Sequence, residues 1–189
     1  SLVAATAWLA GGCGLFSGGG VVLVGDSLTM VVAEPVAAAA PDLDVTRDAD
    51  WGLRIDQEIA SASAVARRDP DHVIINLGTN NVLQGHDLIA SAMDLTTIVD
   101  EFGRVPCVHL VTINQQMQRL GQDTSAAATA LNEHIRSLAA TRPNVELIDW
   151  NQIVVDHAAD GIMDPDTVHP NSVGVAMLTD AYLQAMRSC

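Results

Sequence analysis

A hydroxyl at the tip of a strand can act as a nucleophile if a base takes its proton and hydrogen-bond donors receive the negative charge that develops. The nucleophile candidate is Ser27, in Gly25-Asp26-Ser27-Leu28 directly after the apolar run 21–24. β-branched and Leu residues ending in a Gly read as a short buried strand and a tight turn, and residues 28–40 then read as a helix. A Ser at that junction has its Oγ exposed above the sheet. Its own N–H lies in the first helical turn, where unpaired amide donors favour negative charge. The same tetrapeptide is equally consistent with Asp26 or Ser27 acting only as the helix cap.

A hydroxyl becomes a useful nucleophile when a base oriented by a third group removes its proton. Asp166-Thr167-Val168-His169-Pro170 supplies that pair. In an irregular loop the step from Asp166 to His169 lets a carboxylate reach Nδ1 and leaves Nε2 for the serine, and Pro170 stiffens the entry to the next helix. Alone, such a pair is an ordinary surface loop; beside the serine turn it is informative. Oxyanion donors are then sought at other strand ends. The strand 72–77 runs into Gly78-Thr79-Asn80-Asn81, where Asn80 offers a side-chain amide and Gly78 permits close backbone approach. The strand 43–47 is followed by a turn holding Trp51-Gly52. The Gly52 N–H is a third candidate donor beside Ser27 N–H and Asn80 Nδ2, although by itself Gly52 reads as an ordinary turn glycine.

These blocks, in this order, resemble the GDSL or SGNH family of serine hydrolases and acyltransferases. The family's Ser, Gly, Asn and His fall on Ser27, Gly52, Asn80 and His169, and the likeness extends over residues 21–187. The resemblance implies a Ser27-His169-Asp166 triad with Ser27, Gly52 and Asn80 forming the oxyanion hole. It departs from the family at Asn81, where many members carry Asp. The Gly-x-Ser-x-Gly elbow of the α/β-hydrolases is absent, since Thr29 stands where the last Gly belongs. Asp149-Trp150, the Gly-Thr-Asn-Asn block and the N-terminal segment are similar to extracellular domains that move or remove O-acetyl groups on cell-wall polysaccharides. That likeness implies a short acyl ester on a carbohydrate, cleaved by water or passed to a sugar hydroxyl. A binding module that has kept the fold is the non-catalytic alternative. Trp51, Asn81, Gln115 and Met117 are the expected substrate-lining residues.

The elements that must carry these groups alternate. After the first strand and helix come a strand at 43–47, a helix at 53–67, a strand at 72–77 and a helix at 87–102. A strand at 107–113, a helix at 124–141, a strand at 145–149 and a closing helix at 172–186 follow. This pattern predicts an α/β fold, a three-layer α/β/α sandwich with a five-stranded parallel sheet of flavodoxin-like order, its strands continuous apolar runs. Ligands of such sheets bind beyond the carboxyl ends of the strands, where all the candidate residues fall.

Length suits a single domain over residues 21–189. The segment 1–20 is apolar and then Gly-rich, and reads as the flexible remainder of an export signal or anchor, which predicts a protein of the bacterial cell envelope or a secreted one. A net charge of −14, with nine Arg and no Lys, argues against nucleic acid or an anionic membrane surface as partner. Membrane association is expected only through the N-terminal segment, and lipidation of Cys13 is a minority reading. Cys189, at the end of the closing helix, is placed to pair with Cys107 or Cys13 in an oxidising compartment, with three free thiols as the alternative. No Cys/His cluster or His-Glu-x-x-His is present, so no metal or cofactor is expected. Of the other histidines, His109 reads as core, His72 as the start of a strand, His134 and His157 as helical, and His86 as a surface residue that borders the substrate at most; none has a carboxylate at comparable spacing in a suitable loop.

Overall fold

In the computed structural model, which describes residues 20–189, the apolar runs become the inner strands of a sheet. β1 (Val21–Gly25), β3 (His72–Asn76) and β4 (Cys107–Val111) are buried at every position, as strands covered on both faces must be. β2 (Val45–Ala49) and β7 (Val145–Ile148) complete a parallel five-stranded sheet of order β2-β1-β3-β4-β7. The two flanking strands depart from the expected apolar runs, because Thr46, Arg47 and Glu146 are exposed there. An edge strand meets water along one side, and charge on it discourages pairing with other chains.

Topology fixes where chemistry can gather. The chain steps from β1 outward to β2 through α1 (Ser27–Ala39), then reverses and crosses to β3 through α2 (Ile55–Ala66). Every later step runs in that second direction, through α4 (Leu88–Glu101) to β4 and α5 (Ser125–Thr141) to β7. Right-handed crossovers therefore put α1 on one face and α2, α4 and α5 on the other. α7 (Ser172–Ser188) packs on α1, while α2 packs on α4 and α4 on α5. The reversal leaves a crevice at the carboxyl ends of β1 and β3, the two strands that lead into Ser27 and Asn80.

With only 3% aromatic residues the core is built from Val, Ile and Leu, and Trp150, Tyr182 and Phe102 are its largest buried side chains. A fully buried side chain of this kind contributes ~1.5–3 kcal/mol, so the three inner strands form a rigid floor beneath the crevice. The elements not anticipated from sequence are short. α3 (Thr79–Leu83) occupies what reads as a loop, a hairpin joins β5 (Gln118–Arg119) to β6 (Gln122–Asp123), and α6 (Trp150–Asp156) follows β7. Elements this brief present too few residues for a period to be visible.

At the opposite end of the sheet Cys107 is bonded to Cys189, with Cα atoms 6.1 Å apart. The pairing left open in the sequence thus falls on Cys107. α7 leaves the Asp166–His169 loop and its seventeen residues run ~25 Å at 1.5 Å per residue, which is the distance that brings Cys189 back to the start of β4. His109, two residues further along β4, lies buried and stacked on His72, and burial pulls its pKa down to about 4. The segment 1–19, including Cys13, lies outside the described residues.

Candidate active site

Ser27 is the first residue of α1, and the turn that delivers it is tight. A Cβ on Gly25 would lie 2.0 Å from Thr29 Oγ1 and 2.6 Å from the Asn76 carbonyl, so no larger residue fits there. Asp26 caps α1, its Oδ1 accepting the Leu28 N–H at 3.0 Å. Ser27 Oγ then stands 2.9 Å from His169 Nε2, and His169 Nδ1 is 2.7 Å from Asp166 Oδ2. Asp166 Oδ1 also accepts the N–H groups of Val168 and His169, each at 2.9 Å. Partial burial would raise this carboxyl's pKa, but its hydrogen bonds to the His169 ring and to the two backbone N–H groups outweigh that and hold it below the usual carboxylate range. An ionised Asp166 fixes the Nδ1–H tautomer of His169 and leaves Nε2 as the base facing Ser27.

Asn80 lies in the first turn of α3, on the crevice side of β3. Gly78, which precedes it, adopts φ +113°, and a Cβ there would meet Ile113 Cδ1 at 2.7 Å. The backbone can therefore turn sharply while staying tight against the core. Asn80 Nδ2 donates to Asp26 Oδ2 at 3.3 Å, which brings its amide beside the Ser27 turn. Gly52 belongs to the turn after β2; its carbonyl accepts from Gln84 Nε2 at 3.2 Å, and Gln84 caps the helix that carries Asn80. Trp51 in the same turn is 59% exposed, and its ring centroid lies 6.0 Å from that of His169. Ser27, His169, Asp166, Asn80, Gly52 and Trp51, scattered over the sequence, thus gather at one crevice.

The catalytic-type loop is held from outside. Thr167, between Asp166 and His169, adopts φ +63°, a left-handed conformation that costs a β-branched residue ~1–2 kcal/mol. Asn114 Nδ2 donates to the Thr167 carbonyl at 3.0 Å, and the Gln118 N–H donates to Thr167 Oγ1 at 2.9 Å. The segment after β4 therefore supports this loop. Its expected role was substrate lining, and for Met117 that expectation is wrong: the side chain is 1% exposed and belongs to the core. Gln115 is half-buried, its N–H bonded to Asn151 Oδ1 at 2.8 Å, which places it in the same supporting segment.

Asn81 also proves structural. It is wholly buried, its Oδ1 accepting the Ile55 N–H at 3.0 Å and its Nδ2 donating to Ser91 Oγ at 2.8 Å. It joins the starts of α2 and α4 and offers nothing to a substrate. The amide answers the departure noted in the sequence, since Asn accepts from Ile55 as a carboxylate would and adds a donor for Ser91. Trp150 is likewise buried completely. His157, at the end of α6, also has its Nδ1 2.7 Å from a carboxylate three residues away, Asp160 Oδ2. What separates His169 from it is the Ser27 hydroxyl on its other nitrogen. Asp26, read from sequence as a cap, is wholly buried, and burial pushes its carboxyl up to about 7. Its apolar flanks, 21–24 and Leu28, were the available signal.

Chemically, this arrangement can take a proton from a serine hydroxyl, hold the resulting imidazolium against a carboxylate, and aim helix-terminal and amide N–H groups at a tetrahedral oxyanion. Among the described residues no group of three or more His, Cys, Asp or Glu side chains is arranged to hold a metal ion.

Comparison with known proteins bears on the fold and the family. Among solved structures the fold is similar to a member of the lipolytic G-D-S-L family from Veillonella parvula (TM-score 0.75, 20% identity, 87% of this chain and 96% of that one). It is also similar to the C-terminal catalytic domain of peptidoglycan O-acetyltransferase A from Streptococcus pneumoniae (TM-score 0.73, 22% identity, 90% and 94%). A third is the acetylxylan esterase Axe2 from Geobacillus stearothermophilus (TM-score 0.71, 19% identity, 89% and 94%). No curated protein sequence matches the chain. Residues 23–177 match the model of the GDSL-like lipase/acylhydrolase family, and the chain belongs to that family.

Proposed function

We propose that this protein is a serine esterase that cleaves short acyl esters, acetyl-like in size, carried on a carbohydrate. The observation that carries the reading is the hydrogen-bonded series Ser27–His169–Asp166, at 2.9 Å and 2.7 Å, beside the Asn80 amide. In the mechanism His169 deprotonates Ser27 as Oγ attacks the ester carbonyl. The oxyanion is received by the N–H groups of Ser27 and Gly52 and by Asn80 Nδ2. His169 then protonates the departing alcohol, and water, activated by the same imidazole, releases the acid from the acyl-enzyme.

The His169 and Asp166 side chains are 30% and 51% exposed, so the reacting centre opens to solvent and suits an acyl group presented on a bulky polar carrier. Trp51 stands exposed beside His169, in a position to stack on a sugar ring. The activities of the similar structures, acetylxylan esterase and peptidoglycan O-acetyltransferase, are consistent with such a carrier. The second of these favours an alternative outcome, in which a sugar hydroxyl takes the acyl group in place of water. Retention of the full set of polar side chains counts against a purely binding role. The Cys107–Cys189 bond supports export to an oxidising compartment. Incubation with an acetylated oligosaccharide, with and without a non-acetylated acceptor, tests the reading. Free acetate in both cases supports hydrolysis, acetylated acceptor supports transfer, and neither product from an enzyme that binds the sugar rejects both.

A further inference from the structure

Asp26 does more than cap α1. Its two oxygens have separate partners, Oδ1 on the Leu28 N–H at 3.0 Å and Oδ2 on Asn80 Nδ2 at 3.3 Å. A helix cap requires one acceptor oxygen, and serine or asparagine would serve as well. A carboxyl without solvent contact, beside the nucleophile and spanning from one strand end to the next, is a costly way to cap a helix.

The chemistry of the Asn80 side chain gives the second oxygen a purpose. A primary amide carries two N–H donors on one end and an acceptor oxygen on the other, and rotation by 180° exchanges them with little steric consequence. An oxyanion beside Ser27 is stabilised by the N–H end and repelled by the oxygen. A carboxylate accepts and cannot donate, so Asp26 Oδ2 selects the orientation in which Nδ2 faces it. One N–H is then used on Asp26, and the other remains for the oxyanion. We propose that Asp26 is a positioning residue that fixes the Asn80 side-chain amide with its donor end toward the oxyanion.

This inference rests on the esterase reading for its catalytic consequence but not for its geometry. The groups facing the carboxyl are the Asn80 amide, the His169 imidazole, the Tyr182 phenol and the α1 N-terminus. Its pKa of about 7, raised mainly by burial and opposed by the Leu28 and Asn80 bonds and the nearby His169, means that it is ionised at pH 8, where the test is made.

Two substitutions separate capping from positioning. Asp26→Ser keeps a cap acceptor and removes the oxygen that faces Asn80. In Asp26→Asn, if Oδ1 stays on Leu28, the new amide nitrogen meets Asn80 Nδ2 and turns the Asn80 oxygen toward it and toward the oxyanion. Each variant is expected to lose ~10²- to 10³-fold in kcat with KM little changed, the cost of losing one oxyanion donor. In an Asn80→Ala background the same substitutions should add almost nothing, since the group they act through is gone. Full additivity there, or a Asp26→Ser enzyme with wild-type kcat, overturns the proposal. If Asp26→Asn does not fold, Asp26→Ser decides alone. A second readout does not depend on turnover: at pH 8 one Asn80 side-chain amide proton should resonate downfield in the wild type and move upfield in Asp26→Ser. Unchanged shifts reject the positioning role even if the enzyme is active. An altered shift in a protein with no Ser27-dependent hydrolysis retains the geometry and rejects the esterase reading.

Discussion

Reducing the Cys107–Cys189 bond should strip a large share of the protein's stability without touching its chemistry. The two cysteines are 82 residues apart, and on the chain-entropy model a closed loop of about that length lowers the entropy of the unfolded chain by ~15 cal/mol/K, or ~4.5 kcal/mol at 25 °C. The bond also anchors the last turn of α7, whose first turn follows the His169 loop ~25 Å away. Urea denaturation with and without reductant measures the difference. The midpoint should fall by the equivalent of ~4 kcal/mol, and the melting temperature by ~9–18 °C for a chain of this size. At 20 °C in the absence of urea, kcat/KM of the reduced enzyme should remain that of the oxidised one, because bond and crevice lie at opposite ends of the sheet. Titration of denatured, unreduced protein should find no more than one thiol, and three after reduction. Three thiols before reduction, or coincident urea curves, would refute the reasoning.

Asn80→Ala should lower kcat ~10²- to 10³-fold in steady-state ester hydrolysis, and an unchanged kcat removes the amide from the oxyanion site. Asn81→Ala leaves the buried Ile55 N–H without a partner, while the Ser91 hydroxyl keeps its bond to the Asp87 carbonyl at 2.7 Å. At ~1–3 kcal/mol for such a group it should cost about that much in urea denaturation, whereas a loss under ~0.5 kcal/mol means that water replaces the amide. Asp26 makes the difference in stability between wild type and Asp26→Asn depend on pH. Its carboxyl titrates at about 7 in the folded chain against 3.8 for the free group, so between these values the folded state holds a proton that the unfolded state has released. The wild type should therefore lose ~3 kcal/mol relative to the variant as pH rises from 4 to 7, and a flat difference shows that the carboxyl is not so perturbed. Glu58, raised to about 8 by burial and by Asp48, acts in the same sense and His109 in the opposite one, but both are common to the two proteins and cancel.

Much of this architecture is legible in the amino-acid order because the inner strands are apolar at every position and the helices between them are long enough to show their period. β2 and β7 were visible mainly through their place in the alternation, since edge strands carry Arg47 and Glu146 where central ones carry Val or Ile. At the site, Ser27, Asn80, Asp166 and His169 announce themselves because each follows a strand end or precedes a helix and has a side chain with distinct chemistry. The supports are a different matter. Asn114 and Gln118 reach Thr167 from some fifty positions earlier in the chain, one of them through a backbone N–H that no residue type reveals. Asn81 and Met117 adjoin candidate residues in sequence and point into the interior, a distinction that depends on which way a short helix or loop turns. Asp26 looks like any helix cap until the opposite strand end is placed beside it.

The central claim is that Ser27, activated by His169, is an acyl-accepting nucleophile. It is tested most directly by mixing the purified protein with p-nitrophenyl acetate and following nitrophenolate release and intact mass together, with Ser27→Ala and His169→Ala in parallel. The account predicts turnover by the wild type with a transient gain of one acetyl group located on Ser27, and neither in Ser27→Ala. Equal hydrolysis by wild type and Ser27→Ala, or an acetyl group on another residue, would contradict it.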